Sequence, residues 1–173
     1  FLIARAGVGD VWPLFIVLPG VAMLAVALAG PKNAAGFAIP GSIVTAVGLL
    51  KQEGLRVTLN IMGDGPKRGE IEAEIAKYGL QDQVRLLGYR TDVLEQVSDA
   101  KVFVQASIKE GLSLSLVEAM GAALVPVATE AGTERDLIED GVNGRIVPVK
   151  DPRALADAIR DTLEPAAYAS LMD

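Results

Sequence analysis

Hydrophobic and polar positions divide the chain near residue 50 into two parts with different patterns. From residue 51 onward, short runs rich in β-branched residues alternate with stretches whose apolar positions have helical spacing. Alternation at this spacing predicts an α/β fold, with a doubly wound, mostly parallel sheet and helices on both faces. The predicted strands are Val57–Met62, Val84–Leu87, Lys101–Gln105, Val125–Ala128 and Arg145–Val149.

Helices are predicted in the segments between these strands, and several have recognisable starts. Ser113, Thr133 and Asp151 are predicted N-caps, because their side-chain oxygens can accept hydrogen bonds from amides of the first helical turn. Pro152 follows Asp151 at a position where a proline loses no helical hydrogen bond. The predicted helices cover about 67–78, 92–98, 134–139 and 152–163; another begins after Ser113, and a last one follows Pro165.

The first part of the chain lacks this alternation. Residues 11–29 (VWPLFIVLPGVAMLAVALA) contain no charged side chain over nineteen positions, about the length of a helix that crosses a bilayer core. A shorter uncharged stretch follows over residues 34–50. We therefore predict a membrane-type helical hairpin in a domain over residues 1–50, followed by an α/β domain over residues 51–173. A buried apolar hairpin of a soluble protein is the alternative.

Basic residues near the predicted hairpin favour one orientation. Arg5 precedes it and Lys51 follows it, against a single Lys32 in the connecting turn. Because basic residues are enriched in cytoplasmic segments, this distribution predicts an α/β domain at the cytoplasmic face of a bacterial membrane.

Charge and residue types exclude several classes of site from the α/β domain. Residues 51–173 carry all but three of the charged side chains and have a net charge of about −7. An acidic domain without a basic stripe argues against a nucleic-acid partner. The chain contains neither histidine nor cysteine, which excludes catalytic triads, imidazole-ligated metals and thiolate zinc sites. No metal or cofactor is predicted.

The segment from Ser107 to Met120 carries the main candidate chemistry. It places Glu110 and Glu118 eight positions apart, where a strand is followed by a helix. Anions bind at such helix starts in open α/β sheets, because the first amides lack partners within the helix. Three interpretations remain open for the glutamates: an acid and base pair for hydrolysis, acceptors for the hydroxyls of a ribose and a sugar, or two solvated surface carboxylates.

Several further motifs occur in a fixed order between residues 55 and 163. They are Gly63-Asp64-Gly65-Pro66, Val84–Gly88, Ser107, Glu110-Gly111, Glu118-Ala119-Met120, Pro126–Thr129 and Asp140–Gly144. Together they resemble the C-terminal, donor-binding half of a family 4 glycosyltransferase, which has the two-domain, Rossmann-like GT-B fold. The resemblance implies retaining transfer of a sugar from a nucleotide-diphosphate sugar to an acceptor, without a bound metal.

The resemblance also implies a role for each candidate residue. Glu110 would be the catalytic residue that contacts the donor sugar, and Glu118 would bind the ribose. The remaining donor-binding residues would be Gly111, Leu112 and Ser113 at the diphosphate, Tyr89 and Arg90 at the base, and the turn glycines Gly63 and Gly65.

Two departures from the family pattern bear on activity. The family's donor half begins with a strand, a loop bearing an Arg and a Lys that neutralise the diphosphate, and a long helix. No such pair precedes Val57, and Leu49–Gly54 resembles only the end of that helix, so we expect the first strand to be missing. Ser42–Val47 could replace the strand only with a crossover too short for a helix. The acceptor-binding half is also absent from the pattern.

These departures predict a donor-binding domain that is inactive as an isolated chain. The loss of two charge-assisted phosphate contacts would weaken donor binding by about two to four powers of ten. Two alternatives remain. One is a membrane-tethered module that binds a nucleotide sugar, or another partner, without catalysis. The other is an artificial fusion joined near residues 48–52.

Overall fold

The computed structural model describes residues 12–17 and 40–172 of the chain. Six strands of the described residues form one sheet in which every neighbouring pair is parallel, in the order β3-β2-β1-β4-β5-β6. The strands are β1 (Trp12–Val17), β2 (Val57–Met62), β3 (Val84–Gly88), β4 (Val102–Gln105), β5 (Val125–Thr129) and β6 (Arg145–Val147). The predicted parallel α/β sheet is therefore confirmed.

Helices connect these strands and cover both faces of the sheet. They are α1 (Pro40–Gln52), α2 (Arg68–Lys77), α3 (Val93–Gln96), α4 (Leu114–Gly121), α5 (Pro152–Leu163) and α6 (Pro165–Met172). The N-caps predicted at Ser113 and Asp151 are confirmed, because both side chains accept backbone N–H groups of the following turn. The helix expected over residues 134–139 is only a 3₁₀ turn, Glu134–Asp136, and the Thr133 side chain does not cap it.

Two apolar clusters lie on opposite sides of the sheet. The first joins the buried faces of α1, α2 and α5 to the strands, with Leu50, Leu59 and Ile159 fully buried. The second joins α4 to the other face through Leu116 and Phe103. Because both faces are covered, the strands are almost continuously apolar, as is usual for parallel sheets.

The strand that was expected to be missing is present as β1. It lies between β2 and β4, so that Leu14 is in register with Leu59 on one side and with Val102 on the other. Pro13 cannot donate a ladder hydrogen bond, but it precedes the two residues that pair with β4. The prediction failed because a central parallel strand is uncharged for the same reason as a membrane span: both are surrounded by apolar groups.

Residues 40–50 of the second predicted span are part of α1, which packs on the sheet. Residues Ile43, Val47 and Leu50 form a stripe at helical spacing and are buried against the first cluster. The segment Ser42–Val47, considered above as a replacement strand, belongs to this helix, and the boundary between residues 50 and 51 falls inside it. The predicted join at 48–52 likewise lies within α1 or at its end.

The predicted membrane hairpin is not supported. Among the helices of residues 40–172, none has the length and apolar character needed to cross a bilayer. The connecting turn of the hairpin, and the family's diphosphate loop, would fall in residues 18–39, outside the described residues.

Candidate functional site

The candidate site lies at the carboxyl edge of the sheet, where the strand order reverses. From β1 the chain proceeds outward to β2 and β3, then returns to place β4 on the other side of β1. Ligands of open α/β sheets bind at such a reversal, because the loops after the two strands lead away from each other and leave a crevice. Residues 107–113, which connect β4 to α4 and are called the glutamate loop below, lie at this position.

The start of the glutamate loop is fixed by the end of the neighbouring strand. The Thr129 hydroxyl accepts the Ser107 amide at 2.8 Å and can donate to the Ser107 carbonyl oxygen at 2.7 Å. Both residues are buried. This pairing continues the contact between β4 and β5 beyond the ends of the strands, so the loop leaves the sheet in a defined direction.

Glu110 is partly buried and is held through both backbone and side chain. Its amide donates to the Ala131 carbonyl at 3.0 Å, and its carboxyl Oε2 accepts the Ser107 hydroxyl at 2.8 Å. Burial raises the pKa of the Glu110 carboxyl, and the nearby Glu134 carboxylate adds to the increase. Hydrogen bonds from the Ser107 hydroxyl and the Gly111 amide lower that pKa without cancelling the shift.

Ser113 ends the loop and starts α4. Its hydroxyl accepts the Leu116 amide at 3.3 Å and donates to the Gln105 side-chain oxygen at 2.6 Å. The hydroxyl is therefore engaged within the protein. The backbone amides of Leu112 and Ser113 donate no hydrogen bond within the described part of the chain. Leu112 is 64% exposed, so its part of the loop is accessible, whereas Ser113 is buried.

Glu118 differs from Glu110 in its surroundings. It lies one turn into α4 with an exposed side chain. Over residues 40–172, its side chain makes no hydrogen bond or ion pair, while its backbone carbonyl accepts the Ala122 amide within the helix. The two glutamates that the sequence singled out therefore occupy the same loop and helix, but one is fixed by the fold and the other is free to contact a ligand.

The loops after β2 and β3 form a second group at the same edge. Gly63 has a φ of 120°, which only glycine adopts without strain, and its amide donates to the Gly88 carbonyl at 2.7 Å. Gly65 follows in the same turn, and its amide donates to the Asp64 carboxylate at 2.9 Å. Since β2 and β4 both neighbour β1, the two strands that lead into this turn and into the glutamate loop lie about 10 Å apart.

Tyr89 and Arg90 follow β3 and line an open depression with Thr91 and Asp92. The Tyr89 ring is 71% exposed and can contact a ligand. The Arg90 guanidinium instead forms two hydrogen bonds with Asp92, one of 2.7 Å, and this interaction raises the pKa of Arg90. Of this predicted pair, the tyrosine ring is the more available group.

Sequence reasoning missed the residues that support the glutamate loop from below. Glu134 is 1% exposed and accepts three N–H groups, one of them from Gln105. Glutamates and glutamines in a sequence are usually exposed, so residue type gave no indication of burial. The available signal was Gly132, because a glycine in the short loop after β5 is typical of a loop that approaches another backbone. Within the described ranges, no group of acidic side chains could hold a metal ion.

The raised pKa of Glu110 predicts a pH-dependent stability difference between the wild type and Glu110→Gln. Gln retains the acceptor for Ser107 but does not titrate. Between the ordinary glutamate pKa and the raised value, the folded state binds more protons than the unfolded state, so ionisation at higher pH favours unfolding. We expect the unfolding free energy of the wild type to fall relative to that of E110Q as pH rises through this window, as measured by urea unfolding. If the unfolding free energy of the wild type minus that of E110Q stays constant or rises over this pH range, the raised pKa of Glu110 is contradicted.

The comparisons with known proteins agree with this geometry. Residues 41–165 match the family model described as glycosyl transferases group 1. The chain is 31% identical over 124 residues to the amylovoran biosynthesis glycosyltransferase AmsK of Erwinia amylovora, covering 67% of this chain and 30% of that protein. It is 30% identical over 123 residues to the alpha-D-kanosaminyltransferase of Streptomyces kanamyceticus, covering 70% of this chain and 32% of that protein. The chain thus spans about a third of the length of these curated relatives.

Solved structures show the same fold. A crystal structure of Anabaena Alr3699/HepE in complex with UDP and glucose matches 96% of this chain and 43% of its own, with a TM-score of 0.75 and 22% identity. The apo form of the lipopolysaccharide outer core galactosyltransferase WaaB matches 96% of this chain and 44% of its own, with a TM-score of 0.76 and 16% identity. With the family model covering most of the described sheet and its glutamate loop, the chain belongs to the glycosyl transferases group 1 family.

Proposed function

We propose that this chain is the donor-binding domain of a glycosyltransferase and holds a nucleoside-diphosphate sugar over the glutamate loop. The observation that carries the proposal is the contrast at α4. Glu118 is exposed and unpartnered, and the amides of Leu112 and Ser113 have no acceptor among the described residues, whereas Glu110 beside them is fixed by the fold. Free acceptors and free donors next to a rigid carboxyl group are what a ligand with hydroxyls and phosphates requires.

The diphosphate is assigned to the start of α4. Backbone N–H groups at a helix N-terminus have no partners within the helix, and the helix dipole favours negative charge there. The capped geometry at Ser113 fixes the direction of these amides, because its hydroxyl is bonded on both sides. Glu118, one turn further along the same helix, is assigned to the ribose, whose two vicinal hydroxyls its exposed carboxylate could accept.

Glu110 is assigned to the donor sugar as the catalytic residue. Transfer breaks the bond between the anomeric carbon and the phosphate oxygen, so positive charge develops on the sugar ring while the diphosphate leaves. A partly buried carboxyl group fixed beside the ring can hydrogen-bond to sugar hydroxyls and stabilise that charge. The role differs from hydrolysis by an acid and base pair, because the free Glu118 and the fixed Glu110 would contact different parts of one ligand.

The base is assigned to the loops after β2 and β3. The exposed Tyr89 ring offers a flat surface for stacking, and the Gly63 to Gly65 turn lets the backbone approach the ligand without side-chain obstruction. We assign no direct base contact to the Arg90 guanidinium, because Asp92 already occupies it.

Sugar transfer also requires a surface that binds the acceptor on the other side of the donor. The chain spans about a third of its curated relatives, and this surface is not assigned to any described residue. We propose that residues 1–173 bind the donor without transferring the sugar, and that transfer needs an acceptor-binding surface supplied from elsewhere.

Calorimetric titration of the full chain with UDP, GDP and ADP tests the donor site. UDP is the leading candidate, because the similar HepE structure contains it. We expect a UDP dissociation constant on the order of 0.1 mM, which corresponds to about −5.5 kcal/mol. Dissociation constants of about 1 mM or weaker for all three nucleotides would refute the proposal.

A further inference from the structure

Glu134 is the one charged side chain that the described residues bury almost completely, at 1% exposure. It begins the 3₁₀ turn after β5 and has no place in the site assigned above. Removing a carboxylate from water is costly unless hydrogen bonds or opposite charges replace the lost solvation. The contacts that replace it therefore indicate what this residue does.

Three N–H donors surround the Glu134 carboxylate. Its Oε2 accepts the amides of Ala131 at 3.1 Å and Gly132 at 2.6 Å, and its Oε1 accepts the Gln105 side-chain nitrogen at 3.2 Å. Over residues 40–172, no cation forms an ion pair with it. A carboxylate held only by N–H groups fixes the backbone that supplies them. These groups replace its lost solvation, but no positively charged side chain neutralises its charge.

The backbone fixed in this way is the one that supports Glu110. The Ala131 carbonyl accepts the Glu110 amide at 3.0 Å, and Gly132 packs so closely on the Glu110 carbonyl that no Cβ atom would fit between them. Thr133 adds a hydrogen bond from its hydroxyl to the Gly111 carbonyl at 2.9 Å. The segment that Glu134 anchors is therefore the surface against which the middle of the glutamate loop rests.

The third donor links Glu134 to the end of the same loop. Gln105 donates to Glu134 through its nitrogen and accepts the Ser113 hydroxyl through its oxygen at 2.6 Å. Ser113 in turn caps α4. The buried Glu134 carboxylate is thus linked to Glu110 through Ala131. It is linked through Gln105 to Ser113, at the helix start assigned to the diphosphate.

We propose that Glu134 is a positioning residue for Glu110, which fixes the backbone of the glutamate loop and places a negative charge beside the Glu110 carboxyl group. It touches no ligand itself. The catalytic importance of Glu134 rests on the proposed function, in which Glu110 is the catalytic residue. The effect of Glu134 on the position and charge environment of Glu110 concerns the unliganded chain. The groups that face Glu110 are the Ser107 hydroxyl, the Gly111 amide and the Glu134 carboxylate, and the last of these raises the pKa of Glu110 in addition to burial.

Glu134→Gln separates the charge of Glu134 from its anchoring contacts. The glutamine oxygen can accept the amides of Ala131 and Gly132, as Oε2 does now. Its NH₂ group would face Gln105, whose side-chain amide can turn over so that its oxygen accepts and its nitrogen donates to the Ser113 hydroxyl. The variant therefore keeps acceptors for the Ala131 and Gly132 amides and removes the charge, while the Ser113 hydroxyl changes from donor to acceptor in its bond with Gln105.

The test follows the Glu110 carboxyl carbon by NMR titration in the full, unliganded chain. In E134Q we expect the Glu110 pKa to fall below the wild-type value but stay above that of an ordinary glutamate, because burial is the larger cause of the shift. The matched control is Glu130→Gln, an exposed glutamate of the same segment that pairs with Arg135, and it should titrate as the wild type. An unchanged Glu110 titration in E134Q, or an equal shift in E130Q, would overturn the proposal.

Glu134→Ala tests the anchoring contacts by hydrogen exchange. We expect the Glu110 amide to exchange about tenfold faster or more, relative to the amide of Val104 in the adjacent strand, while E134Q and E130Q keep wild-type protection. Equal protection in folded E134A refutes anchoring, and if E134A does not fold, the same comparison is made in Glu134→Asp, whose shorter side chain draws the carboxylate away from the three donors. Both measurements are made without ligand, so a failure of UDP binding counts against the proposed function and not against this inference.

Discussion

Gly132→Ala should destabilise the protein by about 2–3 kcal/mol and lower its melting temperature by roughly 5–10 °C. An added Cβ would overlap the Glu110 carbonyl oxygen and lie 2.9 Å from the carbonyl carbon. These neighbours are backbone atoms, held by the hydrogen bond from the Glu110 amide to Ala131, so they cannot move aside as a flexible side chain could. Thermal and urea unfolding measure the effect.

The control for this prediction is Gly121→Ala at the end of α4. Beyond the backbone of its own helix and its chain neighbours, no atom lies within 4 Å of a Cβ built there, and alanine favours helix, so we expect a change of no more than a few tenths of a kcal/mol or a slight stabilisation. The same substitution is thus expected to destabilise the protein at Gly132 and to leave its stability almost unchanged at Gly121. Equal stability of the two variants would show that the Gly132 loop does not pack against Glu110 as described.

Glu118→Ala should weaken UDP binding by about 10- to 100-fold without changing the stability of the protein. A carboxylate that accepts ligand hydroxyls contributes about 1.5–3 kcal/mol, which corresponds to this range. Its side chain is exposed and makes no hydrogen bond or ion pair within the described residues, so its removal leaves no group of the fold unsatisfied. Calorimetry gives the affinity, and urea unfolding gives the stability.

Glu164→Ala provides the matched control for charge. Glu164 is an exposed glutamate after α5, and its removal changes the net charge by the same amount. UDP affinity in this variant should equal that of the wild type. If both variants weaken binding equally, the effect of Glu118 is a general one of net charge, and the assignment of Glu118 to the ribose is wrong.

The fold of residues 51–172 was largely predictable, because its strands and helices alternate with clear boundaries. Ser113 and Asp151 begin their helices as their residue types indicate. The fold of residues 12–17 and 40–50 was not predictable, since hydropathy alone does not separate a central parallel strand and a packed helix from two membrane spans. Lys51 at the end of α1 carried a signal that was available, because a basic residue in the last turn is a normal helix ending.

The position of the two glutamates at a strand end and helix start was predictable, but the contacts that support them were not. Glu110 and Glu118 could be singled out by their motif, but the sequence did not show that one is held by Ser107 and the other is free. Glu134 could not be found, because its burial depends on three donors brought together by β4 and the loop after β5. Side-chain burial of this kind is a property of the assembled sheet.

The position of β1 has a consequence for synthesis of the chain. Leu14 pairs with Val102, 88 residues later, so the strand leaves the ribosome long before one of its two neighbours exists. At ordinary translation rates this interval is about 4–18 s, during which one edge of an uncharged strand has unpaired backbone groups. We expect Trp12–Val17 to be the segment of the nascent chain that depends most on protection from aggregation.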